Sequence, residues 1–383
     1  MSTPIVAIAR NKDKFELLEQ VAVQSGFWEN IDAAWQKTGK PKEQFLIAIK
    51  PNLMIFMNPQ VPEVATEPAL VEHLIMRLRE RGFTNIKVVE SQNTMNNWVK
   101  NRSVANVARV AGYTGNGYEI VDLTLEKQRY VYKARGLPDW SNWVGRTWQQ
   151  ADYRIDFAKF KTQLDNYFTL CLKNEFGTLP LPNKYWHYHT RLPYWACTFY
   201  ALINFPVQFG FIDAYRASDG TAGFAVQYNP KVLKMMLASE NIIALDLVGA
   251  SMMQIDAWES PLPRFVMQHL GQPEYRVIGD DSPIANWENV PDEIQGLVDV
   301  GQALYVFANV TAAGGIINLD TNEFPPRFPL MRWYYKVMNA LFLLINGKLL
   351  SRSDHELVHA TIQDEQRQQK ARMHTGDHSS MIH

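Results

Sequence analysis

Lys161, Lys173, Asn174, Lys184 and His187 fall within one short segment of the chain and carry its most concentrated chemistry. Only Asp165 and Glu175 supply carboxylates between them, whereas a solvated face would carry more. Phe168, Leu170, Leu172 and Phe176 alternate with these groups, so several of them are expected where water is scarce. Lysines held that way either bind an anion or lose their proton readily enough to transfer it. Lys161 and Lys173 are therefore candidates to hold a developing oxyanion, Asn174 to orient the substrate through its amide, and His187 to carry a proton near neutral pH.

A wider set is expected to line the same site: Lys50, Asn52, Glu90, Lys184, Asp213 and Asp246 as substrate-binding groups. Lysine meets a phosphate or carboxylate as a point charge, so Lys50, Lys161 and Lys173 could converge on one such group. A metal is a further possibility. His187 and His189 would share a face in a strand, and Asp213 could complete a mixed nitrogen and oxygen site. Asp213, Asp219 and Asp246 could instead gather round a divalent cation, or Asp213 and Asp246 could cap the helices that follow them. His355-Glu356-x-x-His359 has the zinc-protease spacing, but it opens a helix in which Glu356 already serves Ser353 in a capping box.

Those residues must be positioned by an α/β scaffold. Ile5–Ala9, Phe45–Ile49 and Ile86–Val89 read as buried strands, with helices at Asp13–Ser25 and, capped by Thr66, up to Gly82. The strand–helix–strand order implies a mostly parallel sheet with flanking helices. A helix is expected near Ser103–Ala111, a strand at Tyr118–Leu123, an antiparallel excursion at Gln128–Tyr132, and a strand at Tyr153–Phe160 that delivers Lys161. Ile242–Asp246 reads as another strand, with a helix after it to Met253. Lys50, Glu90, Lys161, Asp213 and Asp246 then all sit at or near strand C-terminal ends, the edge where open α/β sheets bind ligands.

Taken in this order, the pieces resemble a known family. Ile49-Lys50-Pro51-Asn52-Leu53, Thr66-Glu67-Pro68 with Val88-Val89-Glu90-Ser91, Lys161-Thr162, the run from Thr169 to Gly177, Lys184-x-x-His187, Ile212-Asp213-Ala214 with Asp219-Gly220, and Ala244-Leu245-Asp246 resemble the motifs of domain-of-unknown-function family 362. The resemblance spans about residues 5–256 and implies the positions above rather than a reaction. Gln163 stands where that family usually has His, and the cysteine-rich, ferredoxin-like segment that many members carry is missing.

The 383 residues allow a large core, read as an α/β core over 1–256, a mainly helical extension over 257–372 packed on it, and a disordered tail over 373–383. A net charge of −1 gives no general attraction to nucleic acid. Cys171 and Cys197 are too few for an iron–sulfur cluster of the chain's own. The N-terminal residues lack a secretory pattern, and a cytoplasmic, reducing location is expected. The uncharged stretch Leu192–Phe211 reads as a buried helix, Tyr194–Asn204, running into a strand rather than a membrane span. Aromatic residues at 185–200 and 331–345 could line an apolar pocket, and 330–345 could be a partner or membrane-surface helix.

The functional expectation is an enzyme acting on a small or lipid-like molecule with an anionic or enolisable group, by isomerisation, elimination or cyclisation. The competing readings are a redox subunit served by a separate ferredoxin-type partner and a non-catalytic binder of an acidic metabolite.

Overall fold

The computed structural model describes residues 3–56, 62–97, 101–163, 165–184, 187–188, 193–220 and 229–289. The expectations for His189, for residues 290–372 of the helical extension, including 330–345 and the His355/His359 pattern, and for the tail at 373–383 lie outside the described residues.

The fold is a mixed, mostly parallel sheet with helices on both faces. In chain order its strands are β1 (Ile5–Arg10), β2 (Ile47–Pro51), β3 (Ile86–Glu90), β4 (Glu119–Asp122), β7 (Tyr153–Gln163), β8 (Tyr167–Thr169), β9 (Phe209–Asp219), β10 (Asn229–Ser239) and β11 (Arg276–Ile278). They lie side by side as β11-β1-β10-β9-β7-β2-β3-β4, with β8 folded back on the end of β7. β10 runs antiparallel to both its neighbours and β8 to β7; the other pairings are parallel. A separate antiparallel hairpin joins β5 (Lys127–Tyr132) to β6 (Trp140–Gly145), as Gln128–Tyr132 suggests in the sequence.

One face is covered by α1 (Lys14–Gln24), α2 (Phe27–Thr38), α3 (Pro68–Glu80) and α4 (Val104–Ala111). Leu17, Phe27, Leu74 and Val107 from these helices pack on Ile49, Ile155, Phe157 and Phe211. On the other face lie α6 (Cys171–Asn174), α7 (Tyr194–Asn204), α8 (Ile242–Met252) and α9 (Pro261–Leu270), over Ala158, Phe160 and Ile212. A third cluster, Ala48, Val89, Tyr132 and Trp148, fills the space under the hairpin with help from α5 (Arg146–Gln150). Strand residues alternate between faces, and both faces are dry. β1 and β2 therefore read as nearly continuous apolar runs, whereas β7 buries charged residues among its apolar ones.

Two sequence expectations need correction. Ile242–Asp246 is not a strand; it is the first half of α8. Asn241 caps that helix, its Oδ1 accepting from Ile243 N and Ala244 N at 3.0 Å each. An apolar helix buried nearly all round carries no amphipathic signature, so a short window of it looks like a buried strand. Gly249, in the middle of α8, is there for close packing: a Cβ would lie 2.6 Å from Leu170 Cδ1. Thr66 does not cap α3. Its hydroxyl donates to Phe157 O (2.7 Å) and accepts from Asn52 N (2.9 Å), which ties the end of β2 to β7. Glu67 precedes the helix, and Pro68 opens it without a side-chain cap.

Tyr194–Asn204 is the buried helix expected from its sequence. No described helix is long and apolar enough to cross a membrane. Beyond residue 256 the described chain contributes α9 and the edge strand β11.

Candidate functional site

β2, β3 and β7 are adjacent and parallel, so Lys50 and Glu90, at the C-terminal ends of β2 and β3, come level with Asp156 in the first half of β7, which runs on past them to Gln163. The segment after β8 then folds over that edge as α6 and a 3-10 turn, Glu175–Thr178. This cover supplies Lys173, Asn174 and Glu175.

Lys50 is 1% exposed and fully engaged. Its ammonium meets Glu90 Oε2 at 2.8 Å, Asn174 Oδ1 at 3.1 Å and Pro51 O at 2.9 Å. All three N–H groups of the ammonium are thereby used. As the side chains stand, Lys50 holds the cover to the sheet and has no donor left for a ligand. Glu90 is completed by Ser91 N and Leu53 N. Asn174 turns its amide the other way, donating to Lys50 O (3.0 Å) and to both oxygens of Asp156 (3.1 and 3.0 Å), while Asn52 Nδ2 donates to its Oδ1 at 3.2 Å. The amide of Asn174 is thus spent on protein groups.

Gly177 makes this junction possible, because a Cβ there would lie 2.6 Å from Lys50 Nζ and 2.7 Å from Glu90 Oε1. Gly177→Ala is expected to lower stability by about 1–3 kcal/mol, read from the midpoint of urea unfolding. An unchanged midpoint would show that the cover can lift away freely.

Lys184 is also buried and committed. It donates to Ser91 Oγ (2.7 Å) and to the carbonyls of Phe176, Gly177 and Leu179 at 3.1, 3.0 and 2.8 Å. Burial, with Lys50 and Lys173 nearby, lowers its pKa to about 7 against the pull of Glu90.

Lys161 and Lys173 are different. Lys161, at the end of β7, is 2% exposed and makes no side-chain hydrogen bond or ion pair among the described residues. Burial drives its pKa down to about 7; the charges of Lys173 and Lys159 push the same way, and Asp165 opposes them. Lys173 is half-buried, and its ammonium rests over the rings of Phe176 (4.4 Å) and Tyr194 (4.8 Å). Its pKa is lowered, first by burial, with Lys50 adding to the effect. The three lysines of the sequence expectation therefore share one electrostatic neighbourhood, with Lys50 paired to Glu90 and the other two carrying no contacting carboxylate among the described residues.

Beneath them lie two fully buried acids, Asp156 and Glu175. Burial raises Asp156 well above the usual carboxylate range, and neighbouring Glu175 raises it further. Glu175 is lifted to about 7, again by burial. With both ionised, neither oxygen of Glu175 has a hydrogen-bond partner. A proton on Asp156 converts the pair into a hydrogen-bonded one, and that is the protonation state the burial favours.

Asp213 and Asp246 are committed to protein groups beside the cluster. Asp213, in the middle of β9, takes Lys159 Nζ at 2.8 Å and Glu67 N at 2.9 Å on Oδ2, and Tyr215 N on Oδ1. Asp246, in mid-helix, accepts from Cys171 N (2.8 Å) and Leu172 N (2.9 Å). It therefore caps the first turn of α6 from across the core, not a helix following it; burial raises its pKa to about 8. Asp219 accepts from Gly220 N, Glu288 N and Asn289 N. The aspartates thus do not assemble round a cation, and among the described residues no three His, Cys, Asp or Glu side chains do so. His187 is half-buried, with its backbone N–H on Asn183 O and its ring 6.2 Å from that of Tyr188. Cys171 and Cys197 are buried thiols with raised pKa values. Two surface clefts occur away from this edge, one lined by Glu72, Arg79 and Thr114 and one by Ser251, Trp258 and Tyr275.

The family Domain of unknown function (DUF362) matches residues 47–251, more than half of the chain. The chain belongs to this family. The DUF362 region runs from β2 to α8 and contains every lysine, asparagine and carboxylate of the cluster. It leaves out β1 and β11, which complete the sheet. No curated protein and no solved structure matches the chain.

Within the DUF362 region, sequence reasoning missed Asp156, Glu175, Ser91, Lys159 and Arg102. Arg154 and Asp156 alternate with Tyr153, Ile155 and Phe157, which suggests a wet face. Trp148, Gln149 and Phe205 cover Arg154, and Asn174 covers Asp156, so both are buried instead. An expectation of two covered faces, already implied by a parallel sheet, would have flagged both.

Proposed function

We propose that the protein is an enzyme that binds a small molecule bearing an anionic or enolisable group and moves a proton on it, with Lys161 and Lys173 at the reacting oxygen. The observation that carries this reading is the pair of neighbouring ammonium groups at the strand C-terminal edge without a contacting carboxylate. A buried ammonium such as that of Lys161 is costly without a counter-charge, and an oxyanion of the substrate would supply one. A lysine with pKa near 7 is also half neutral at neutral pH, so Lys161 can accept a proton as well as donate one. In this reading Lys173, its ammonium resting over the rings of Phe176 and Tyr194, holds the developing oxyanion. Lys50, Asn174 and Lys184 act through position: they pin the cover that carries Lys173. His187, in the turn after Lys184, is the second proton carrier in this reading.

Exchange of α-protons tests it without knowledge of the natural substrate. Small keto acids incubated with the protein in heavy water, followed by NMR, are expected to lose their α-protons. Lys161→Met is expected to slow that loss by about 100-fold or more, the usual contribution of a positioned general base. Lys173→Met should weaken binding of the same acids. Binding without exchange would make this a carrier of acidic metabolites. Exchange that persists in both variants would remove these lysines from the reaction.

A further inference from the structure

Arg102 stands immediately before Ser103, the residue that caps α4, and makes no hydrogen bond to the lysines of the cluster among the described residues. It is 2% exposed. Its Nη2 donates to Met54 O and lies 3.8 Å from Met95 Sδ, while Nε and Nη1 have no acceptor among the described residues. Three N–H bonds of a buried guanidinium are thus unused. Glu90 is the charged group that faces it, but its oxygens are already taken by Lys50, Leu53 N and Ser91 N. The backbone on either side is clamped. Asn96 Nδ2 donates to Arg102 O and Asn106 Nδ2 to Asn101 O, each at 2.6 Å, and Asn101 is held at φ 56. Two side-chain amides and a left-handed residue therefore hold this arginine pointing inward, where chain entropy and desolvation both oppose it. A partner on the unused N–H groups would offset that cost. Burial also lowers the guanidinium pKa to about 10, with Glu90 opposing, consistent with an unmet charge.

We propose that Arg102 is the anchor of a second oxyanion site, taking a carboxylate or a phosphate on its unused N–H groups. The planar guanidinium suits these two groups above other anions. The site is independent of the reaction proposed for Lys161 and Lys173.

Calorimetric titration with inorganic phosphate and, separately, with malonate tests it on the full chain. One of the two is expected to bind, and which one binds more tightly assigns the group as phosphate or carboxylate. Arg102→Met is expected to weaken that binding by about tenfold or more. A variant carrying both Lys161→Met and Lys173→Met should retain it, which separates this site from the lysine pair. Arg102→Lys keeps the charge and loses the fork, so it should fold and bind more weakly than wild type, even if Arg102→Met does not fold. The proposal is overturned if neither anion binds the wild type, if Arg102→Met binds as wild type does, or if Arg102→Lys does.

Discussion

Lys50→Met is expected to lower the free energy of unfolding by about 3–5 kcal/mol, measured by urea denaturation. The substitution keeps the volume of the side chain and removes its charge. Glu90, 3% exposed, is then left ionised in a dry site with only backbone donors. Asn174 Oδ1 and Pro51 O lose their ammonium donor at the same time. Breaking one side of a buried pair carries this penalty because the remaining charge has no water to turn to. Combining Lys50→Met with Glu90→Leu should restore more than half of the loss, since an apolar pair of similar volume replaces the ions. A single-variant loss below about 1 kcal/mol would mean that water reaches Glu90 and that the cover over the sheet edge is loosely seated.

Lys161→Met is expected to act in the opposite direction, raising stability by about 1–4 kcal/mol below pH 7. The sign follows from proton binding in the two states. The ammonium gives up its proton near pH 7 in the folded chain and near 10.5 in the unfolded chain. Below pH 7 both states carry the charge, and the folded one bears the full desolvation penalty. Between those values the folded chain sheds the proton and the penalty shrinks; above 10.5 it is gone. The gain from methionine should fade over the same range. Glu175 also titrates near 7, but it is present in both proteins and largely cancels in the difference. Unfolding curves of the two proteins at several pH values give the comparison. If Lys161→Met destabilises equally at every pH, Lys161 is a packing residue and its place in the proposed chemistry fails.

The opposite signs of these two expectations reflect what was legible in the sequence. The lysines, Asn174 and Glu90 stood out by type and spacing, and their gathering at strand ends followed from the strand–helix order. Their partners did not stand out. A lysine with three protein acceptors and one with none look alike in a row of letters, and the difference lies in how α6 and the 3-10 turn after it fold back on the ends of β2 and β3. The strand β10 was also hidden. Its sequence contains Pro230, Lys231 and Lys234, and its register against β9 shifts between Val232 and Met235 with Lys234 at φ 45. A bulge of that kind breaks the two-residue alternation by which strands are recognised. Arg102 gave no signal at all, because an arginine between asparagine and serine reads as surface, and only the clamped loop turns it inward.

The place of β1 in the sheet has a consequence for how the chain is made. The strands that frame the chemistry, β2, β3, β4 and β7, pair with one another within residues 47–163 and can assemble as they leave the ribosome. Ile5–Arg10 emerges first, yet among the described residues its strand partners are β10 and β11. It must wait, apolar and unpaired, until residues 229–239 have been synthesised. A nascent chain halted before Ser239 therefore displays the kind of bare hydrophobic strand that chaperones hold.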